Sequence, residues 1–175
     1  ALLTATVRPC PCGFSDDPVT ECSCSATTIA LYQKRLSASL LDSFDICIEV
    51  PRIAYEKLAD KRQVETSASI RARVQAARER QRQRFQGAKL TCNADIGFNE
   101  VRDFCQVDAL GEQLLKAATQ QLHLQARASH RVLRLARTIA DIAGSDMILA
   151  THIAEAIQYR PRVTASNTCE KFGGN

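Results

Sequence analysis

RASHRVLRLARTIADIAGSDMILATHIAEAIQYR, residues 127–160, holds two helical periods separated by a stop signal. Val132, Leu135, Ala136, Ile139 and Ala143 recur at three- and four-residue steps, which places them on one face of a helix over about 127–143. Gly144 is the residue type that ends such a helix in a left-handed turn. A second helix is predicted from about Ala150 to Tyr159, with Ile153, Ala154 and Ile157 inward and Pro161 closing it. Working back toward the N-terminus, Asp108 is a candidate N-cap for a helix whose Leu110, Leu114, Ala117 and Ala118 mark a core face. A shorter helical region starts near Phe98, and a long amphipathic helix runs from Thr66 or Ser67 to about Gln86 with Ile70, Val74, Ala77 and Phe85 on its stripe. Gly87 ends that helix, and the second half of the chain reads as a helical bundle.

The first half has a different pattern. Leu2 to Val7 and Ile46 to Val50 are apolar and β-prone, and Pro51 stops the second run. Between them Ser25 is a candidate N-cap for a helix carrying Ile29, Leu31, Tyr32 and Leu36, and Leu40 and Leu41 form a short helical turn. Two strands separated by a helix imply a piece of a parallel sheet. The expected fold class is therefore mainly α, with a remnant of an α/β layer followed by the helical bundle. The expected divisions are 1–51 for the α/β piece, 52–65 for a connection, 66–162 for the bundle and 163–175 for a flexible tail.

The loop between the first strand and the first helix, CPCGFSDDPVTECSC at residues 10–24, holds four of the eight cysteines. Gly13, Asp16, Asp17 and Pro18 favour a reversal that brings Cys10 and Cys12 to face Cys22 and Cys24. Four thiolates converging on one point suit a tetrahedral Zn²⁺ in a closed, structural site. A disulfide between the pairs and inert buried or redox thiols are the other readings. Cys47, Cys92, Cys105 and Cys169 are scattered and read as reduced thiols. His123, His130 and His152 are not spaced for metal and read as surface or cap residues, Asp42 lacks a catalytic companion, and no Ser/His/Asp set or carboxylate pair stands out.

The 175 residues are 45% hydrophobic and 24% charged, the balance of a soluble globular protein. No apolar run has the length of a membrane span and no signal peptide is visible, so a cytoplasmic protein without a membrane partner is expected. The start at Ala1 and the lack of a phosphate-loop motif suggest part of a longer protein. Net charge is +4, and it is concentrated: Arg71, Arg73, Arg78, Arg80, Arg82 and Arg84 share one helix with a single acid, Glu79. At 100° per residue, Arg71, Arg78 and Arg82 fall on one flank of the apolar stripe and Arg73, Arg80 and Arg84 on the other. They fit a phosphate-binding or subunit-contact surface, or else a solvated face whose stems cover apolar surface.

Three blocks taken together carry a family resemblance: RPCPCGFSDDPVTECSCSATTIALYQKRLSASLLDSFDICIEVP, then SASIRARVQAARERQ, then ASHRVLRLARTIADIAGSDMILATHIAEAIQYR. The chain resembles, over roughly residues 1–162, the C-terminal part of the magnesium-chelatase-like AAA+ ATPases, nearest to their competence-type branch of DNA branch-migration helicases. The resemblance implies the end of an AAA+ core followed by a helical lid. It also implies a homo-oligomeric ring, expected to be a hexamer, that binds ATP and Mg²⁺ between subunits and remodels DNA. By the same resemblance Arg127 takes the place of the sensor 2 arginine, aimed at the nucleotide. The sensor 1 asparagine falls on Arg8 and the arginine finger on Ser43, both departures, and the preceding Gly-Pro falls on Ala38 and Ser39. A guanidinium cannot accept a hydrogen bond from an attacking water, and a finger lost typically costs orders of magnitude in rate. The departures weigh against efficient hydrolysis. The rival roles are the motor subunit of a magnesium chelatase and a non-catalytic module that binds nucleic acid or a ring partner.

Overall fold

A computed structural model describes residues 3–15, 17–35, 38–41, 43–50, 65–122 and 124–160. The expected connection over 52–65 lies outside them apart from Glu65, as do the tail, Asp42 and His123. The described helices are α1 (Ala26–Arg35), α2 (Ala38–Leu41), α3 (Ser67–Arg84), α4 (Val101–Phe104), α5 (Ala109–Gln121), α6 (Ala126–Ala143) and α7 (Ala150–Gln158), with a 3-10 turn at Asn93–Asp95. None is long and apolar enough to cross a membrane. The described residues form two compact units, one from residues up to Phe44 with Glu49 and Val50, the other from Asp45–Ile48 and residues 65–160.

Local signals set the helix ends. The Ser25 hydroxyl accepts from the Thr28 N–H at 3.2 Å and starts α1. Thr66 accepts from the Ser69 N–H at 3.2 Å and starts α3. Asp108 accepts from the Gly111 N–H at 2.8 Å and starts α5. Each satisfies one amide that the first turn leaves without a partner. Gly144, at φ 76°, ends α6 in the left-handed region that a side chain disfavours.

In the second unit α6 packs on α7 and α3, and α5 packs on α7. Val132, Ala136 and Ala140 of α6 are fully buried with Ile148, Ile153 and Ala156. Burial of a valine or isoleucine contributes about 1.5–3 kcal/mol, and of an alanine methyl less. Phe85 closes one side of this core, its ring edge-on to Phe104 at 5.1 Å. An isolated parallel bridge joins Val107 to Ile148.

Three expectations need correction. Neither Leu2–Val7, as far as it is described, nor Ile46–Val50 forms a strand. A strand is held by the ladder of its neighbour, and no described segment forms one with either stretch; the bond from the Cys47 N–H to the Tyr159 carbonyl, at 2.8 Å, does not make a ladder. Leu3, Ile48 and Val50 stand 75%, 69% and 83% exposed. The long helix buries less than its stripe implied: Ala77, Gln81 and Phe85 are buried, while Ile70 and Val74 are exposed. A helix of 18 residues is about 27 Å long, and among the described residues α3 is buried only along its C-terminal part. Leu110 and Ala143 likewise face outward, with Leu115 serving the core in place of Leu110.

Candidate metal centre and arginine surfaces

Cys10, Cys12, Cys22 and Cys24 converge as the spacing predicts, with all four sulfur atoms within 4.8 Å of one another. Cys10 lies 3.3 Å from Cys12 and 3.7 Å from Cys22, and Cys12 lies 3.5 Å from Cys22. All four are free thiols, so the inter-pair disulfide is not formed. Two turns build the loop. The Gly13 N–H donates to the Cys10 carbonyl at 3.0 Å and to its sulfur at 3.2 Å, with Gly13 at φ 90°. Asp17 then accepts from the Val19 and Thr20 amides at 2.8 and 2.9 Å and turns the chain back toward Cys22.

The donor set fits a structural Zn²⁺. Four sulfurs about 2.3 Å from a tetrahedral ion would lie about 3.8 Å from one another, close to the separations seen. The charge pattern agrees. The Phe14 N–H and then the Cys10 side chain hold the Cys12 thiol down to about 6. The Cys24 N–H draws Cys22 down as well, but loss of hydration and the Cys12 and Cys10 thiols outweigh it and push Cys22 up to about 12. Cys24 is also raised, the Cys12 backbone lowering it and the neighbouring thiols and desolvation prevailing. Cys12 thus leans toward the thiolate while Cys22 and Cys24 lean toward the thiol, and a divalent ion is what would let several ionise together.

Arg8 is exposed and lies across this turn: a Cβ on Gly13 would stand 3.4 Å from its Cδ. Ser43 is an exposed turn residue whose hydroxyl and N–H both donate to the Leu40 carbonyl, at 2.6 and 2.9 Å. Both belong to the first unit. Arg127 belongs to the second, in the first turn of α6, exposed and without a hydrogen-bond or ion-pair partner among the described residues.

The two arginine flanks of α3 differ in what they touch. On one, Arg73 pairs with Glu65 at 2.9 Å, Arg80 with Asp146 at 2.9 Å, and Arg84 with Asp141. On the other, among the described residues Arg82 pairs with its helix neighbour Glu79 at 3.0 Å, and Arg71 and Arg78 are exposed without described partners, Arg78 at the edge of a hollow shared with Thr138 and Ile142 of α6. The first flank is tied to acids outside the helix, and the second is not, among the described residues.

Arg84 leads into a buried polar network that periodicity does not reveal. Its guanidinium grips both oxygens of Asp141, which also accepts from Arg137 at 3.1 Å and from the Asn93 amide at 2.8 Å. Arg137 donates in addition to the Asp146 and Ser145 carbonyls at 2.7 and 2.6 Å. Arg137 and Asp141 are 1% and 0% exposed at the side chain. Burial lowers the Arg137 pKa, opposed by the Asp141 charge. Burial likewise pushes the Cys105 thiol up to about 11, which marks it as an inert core thiol. The one signal in the sequence for this network is the four-residue step from Arg137 to Asp141.

Residues 64–160 match the family described as magnesium chelatase, subunit ChlI C-terminal, and residues 1–58 match magnesium chelatase, subunit ChlI. The protein YifB of Escherichia coli is 37% identical over 160 residues, which cover 90% of this chain and 30% of YifB. Competence protein ComM of Haemophilus influenzae is 36% identical over 162 residues, 92% of this chain and 31% of ComM. The protein Rv2897c of Mycobacterium tuberculosis is 28% identical over 158 residues, 90% of this chain and 31% of that protein. The chain thus spans about a third of the length of the curated relatives it matches.

Proposed function

This chain belongs to the magnesium chelatase family, of the ChlI and ComM type, and from that premise we propose that it is part of an AAA+ ATPase that remodels DNA. The observation that carries the reading is the match to a competence protein across 92% of the chain. In this reading residues 66–162 are the lid, and the whole protein assembles as a cytoplasmic hexameric ring around ATP and Mg²⁺. Arg127 contacts the nucleotide phosphates, for which an exposed guanidinium free of acidic partners at a helix N-terminus is suited. Arg8 and Ser43 stand where the sensor 1 asparagine and the arginine finger would be, which predicts slow hydrolysis. Zinc held by Cys10, Cys12, Cys22 and Cys24 is structural, since four protein ligands leave no open position for substrate. DNA phosphates meet the open flank of α3, Arg71, Arg78 and Arg82, rather than the flank committed to Glu65, Asp146 and Asp141.

Titration of labelled single-stranded and branched DNA at two salt concentrations tests this. Affinity should fall steeply with salt, and the combined Arg71→Ala, Arg78→Ala and Arg82→Ala variant should lower the log–log slope by about two to three. Arg73→Ala should leave that slope unchanged. No binding of either DNA at low salt sinks the reading.

A further inference from the structure

Phe98 is the feature that the reading above does not use. It is 70% exposed, yet its ring is not loose: it lies stacked on the His130 imidazole, 5.6 Å between centroids at 25°. His130 is fixed in turn, its Nε2–H donating to the Gly97 carbonyl at 3.0 Å. One turn further along α6, Arg134 donates to the Ala94 carbonyl at 2.7 Å and clamps the same loop. An aromatic plane held in place from below and open above is the form that nucleobase stacking requires.

Charge supplies the second half of a site. Arg127, His130 and Arg131 stand at i, i+3 and i+4, one face of α6. Neither Arg127 nor Arg131 has a described partner, in contrast to Arg73, Arg80, Arg82, Arg84, Arg134 and Arg137. The first turn of α6 carries no acid, and with the Ala128 N–H donating to the Gln125 carbonyl at 2.9 Å, the Ala126 and Arg127 amides are the ones left to meet an anion. The nearest acid on the loop, Glu100, folds over Gly97 and pairs with neither arginine.

We propose that the Phe98–His130 pair is the base-stacking shelf of a nucleoside triphosphate site whose phosphates are met by Arg127 and Arg131. The proposal rests on the reading of Arg127 as a nucleotide contact and adds to it the base subsite and a second phosphate ligand. Stacking on an aromatic plane tolerates any base, so the shelf contributes affinity for the nucleoside rather than selection among bases.

The sequence contains no tryptophan, so Phe98→Trp places a unique fluorophore on the shelf. ATP should quench it, whereas inorganic tripolyphosphate should displace ATP without quenching. By calorimetry, Phe98→Ala should weaken ATP about tenfold and leave tripolyphosphate unchanged, while Arg127→Ala and Arg131→Ala should weaken both. Circular dichroism checks that the exposed Phe98 can be replaced without loss of fold. ATP binding that depends on Arg127 but is untouched by Phe98→Ala overturns the shelf and leaves the Arg127 reading standing. Binding of neither ATP nor tripolyphosphate overturns both. Tighter quenching by oligothymidylate than by ATP overturns the nucleotide assignment in favour of single-stranded nucleic acid.

Discussion

In the first unit Cys10 is the only buried residue among those described, whereas the second unit buries ten apolar side chains in one cluster and a charged network beside it. Leu31 on α1 is 66% exposed, and α1 buries none of its residues. A short helix without a packed face is marginal in water, and among the described residues of the first unit the sulfur cluster is where the chain is most closely gathered. The second unit holds itself by packing. The comparison teaches that one chain combines two sources of order, coordination and burial, and that they should fail under different insults.

Removing metal is the strongest way to test that contrast. Structural zinc sites in small peptides contribute apparent binding energies of about 10–16 kcal/mol. Purified protein should hold about one equivalent of zinc under reducing conditions. A strong chelator, or Cys10→Ser with Cys22→Ser, should open residues 8–35 to protease while the melting of residues 65–160 stays put. Equal loss of both units would break the comparison, and less than about half an equivalent of zinc would remove its premise.

Next in size is Asp141→Ala. Removing the carboxylate leaves Arg137 buried with its charge uncompensated, and breaking such a pair typically costs about 3–5 kcal/mol. The second unit should melt lower by more than about ten degrees, with zinc content unchanged. A shift of only a degree or two would mean that water enters and solvates the arginines.

The smallest effect belongs to the surface turn at Asp95. The Thr91 hydroxyl donates to its carboxylate at 2.6 Å, the Thr91 and Cys92 amides add further bonds, and together they hold its pKa down to about 2 from an ordinary 3.8. Because the folded value is the lower one, this stabilisation is present above about pH 4 and fades as pH falls toward 2. Asp95→Asn and the parent should therefore melt alike near pH 2 and diverge above pH 4. A constant offset at every pH would show that the turn, not the charge, is what the substitution disturbs.

Much of the helical half was legible because its signals are local. Thr66, Asp108 and Gly144 announce their helix ends within four residues, and the cysteine spacing announces the cluster. What escaped depends on partners distant in sequence. Asp141 meets Arg84 across 57 positions, and the four-residue step to Arg137, which reads equally well as a surface ion pair, does not by itself mark it as interior. Leu2–Val7 and Ile46–Val50 have strand composition, but composition does not provide a neighbouring ladder. Ile70 and Val74 keep helical period with Ala77, but Val74 only rims a hollow against Thr138 and Ile142 of α6 and both stay exposed. Phe98 and His130 are 32 residues apart and read separately as a helix start and a surface histidine.

The bridge between Val107 and Ile148 is small, but it crosses the mouths of two helices. Ile148 donates its N–H to the Gln106 carbonyl at 2.9 Å and accepts from the Asp108 N–H at 3.0 Å, immediately before α5 and α7 begin. Ile148 is fully buried, so neither bond can open without pulling that side chain out of the core. These two amides are loop amides by position and core amides by protection. In deuterium they should exchange as slowly as the middle of α6, reporting complete unfolding of the second unit from outside any helix.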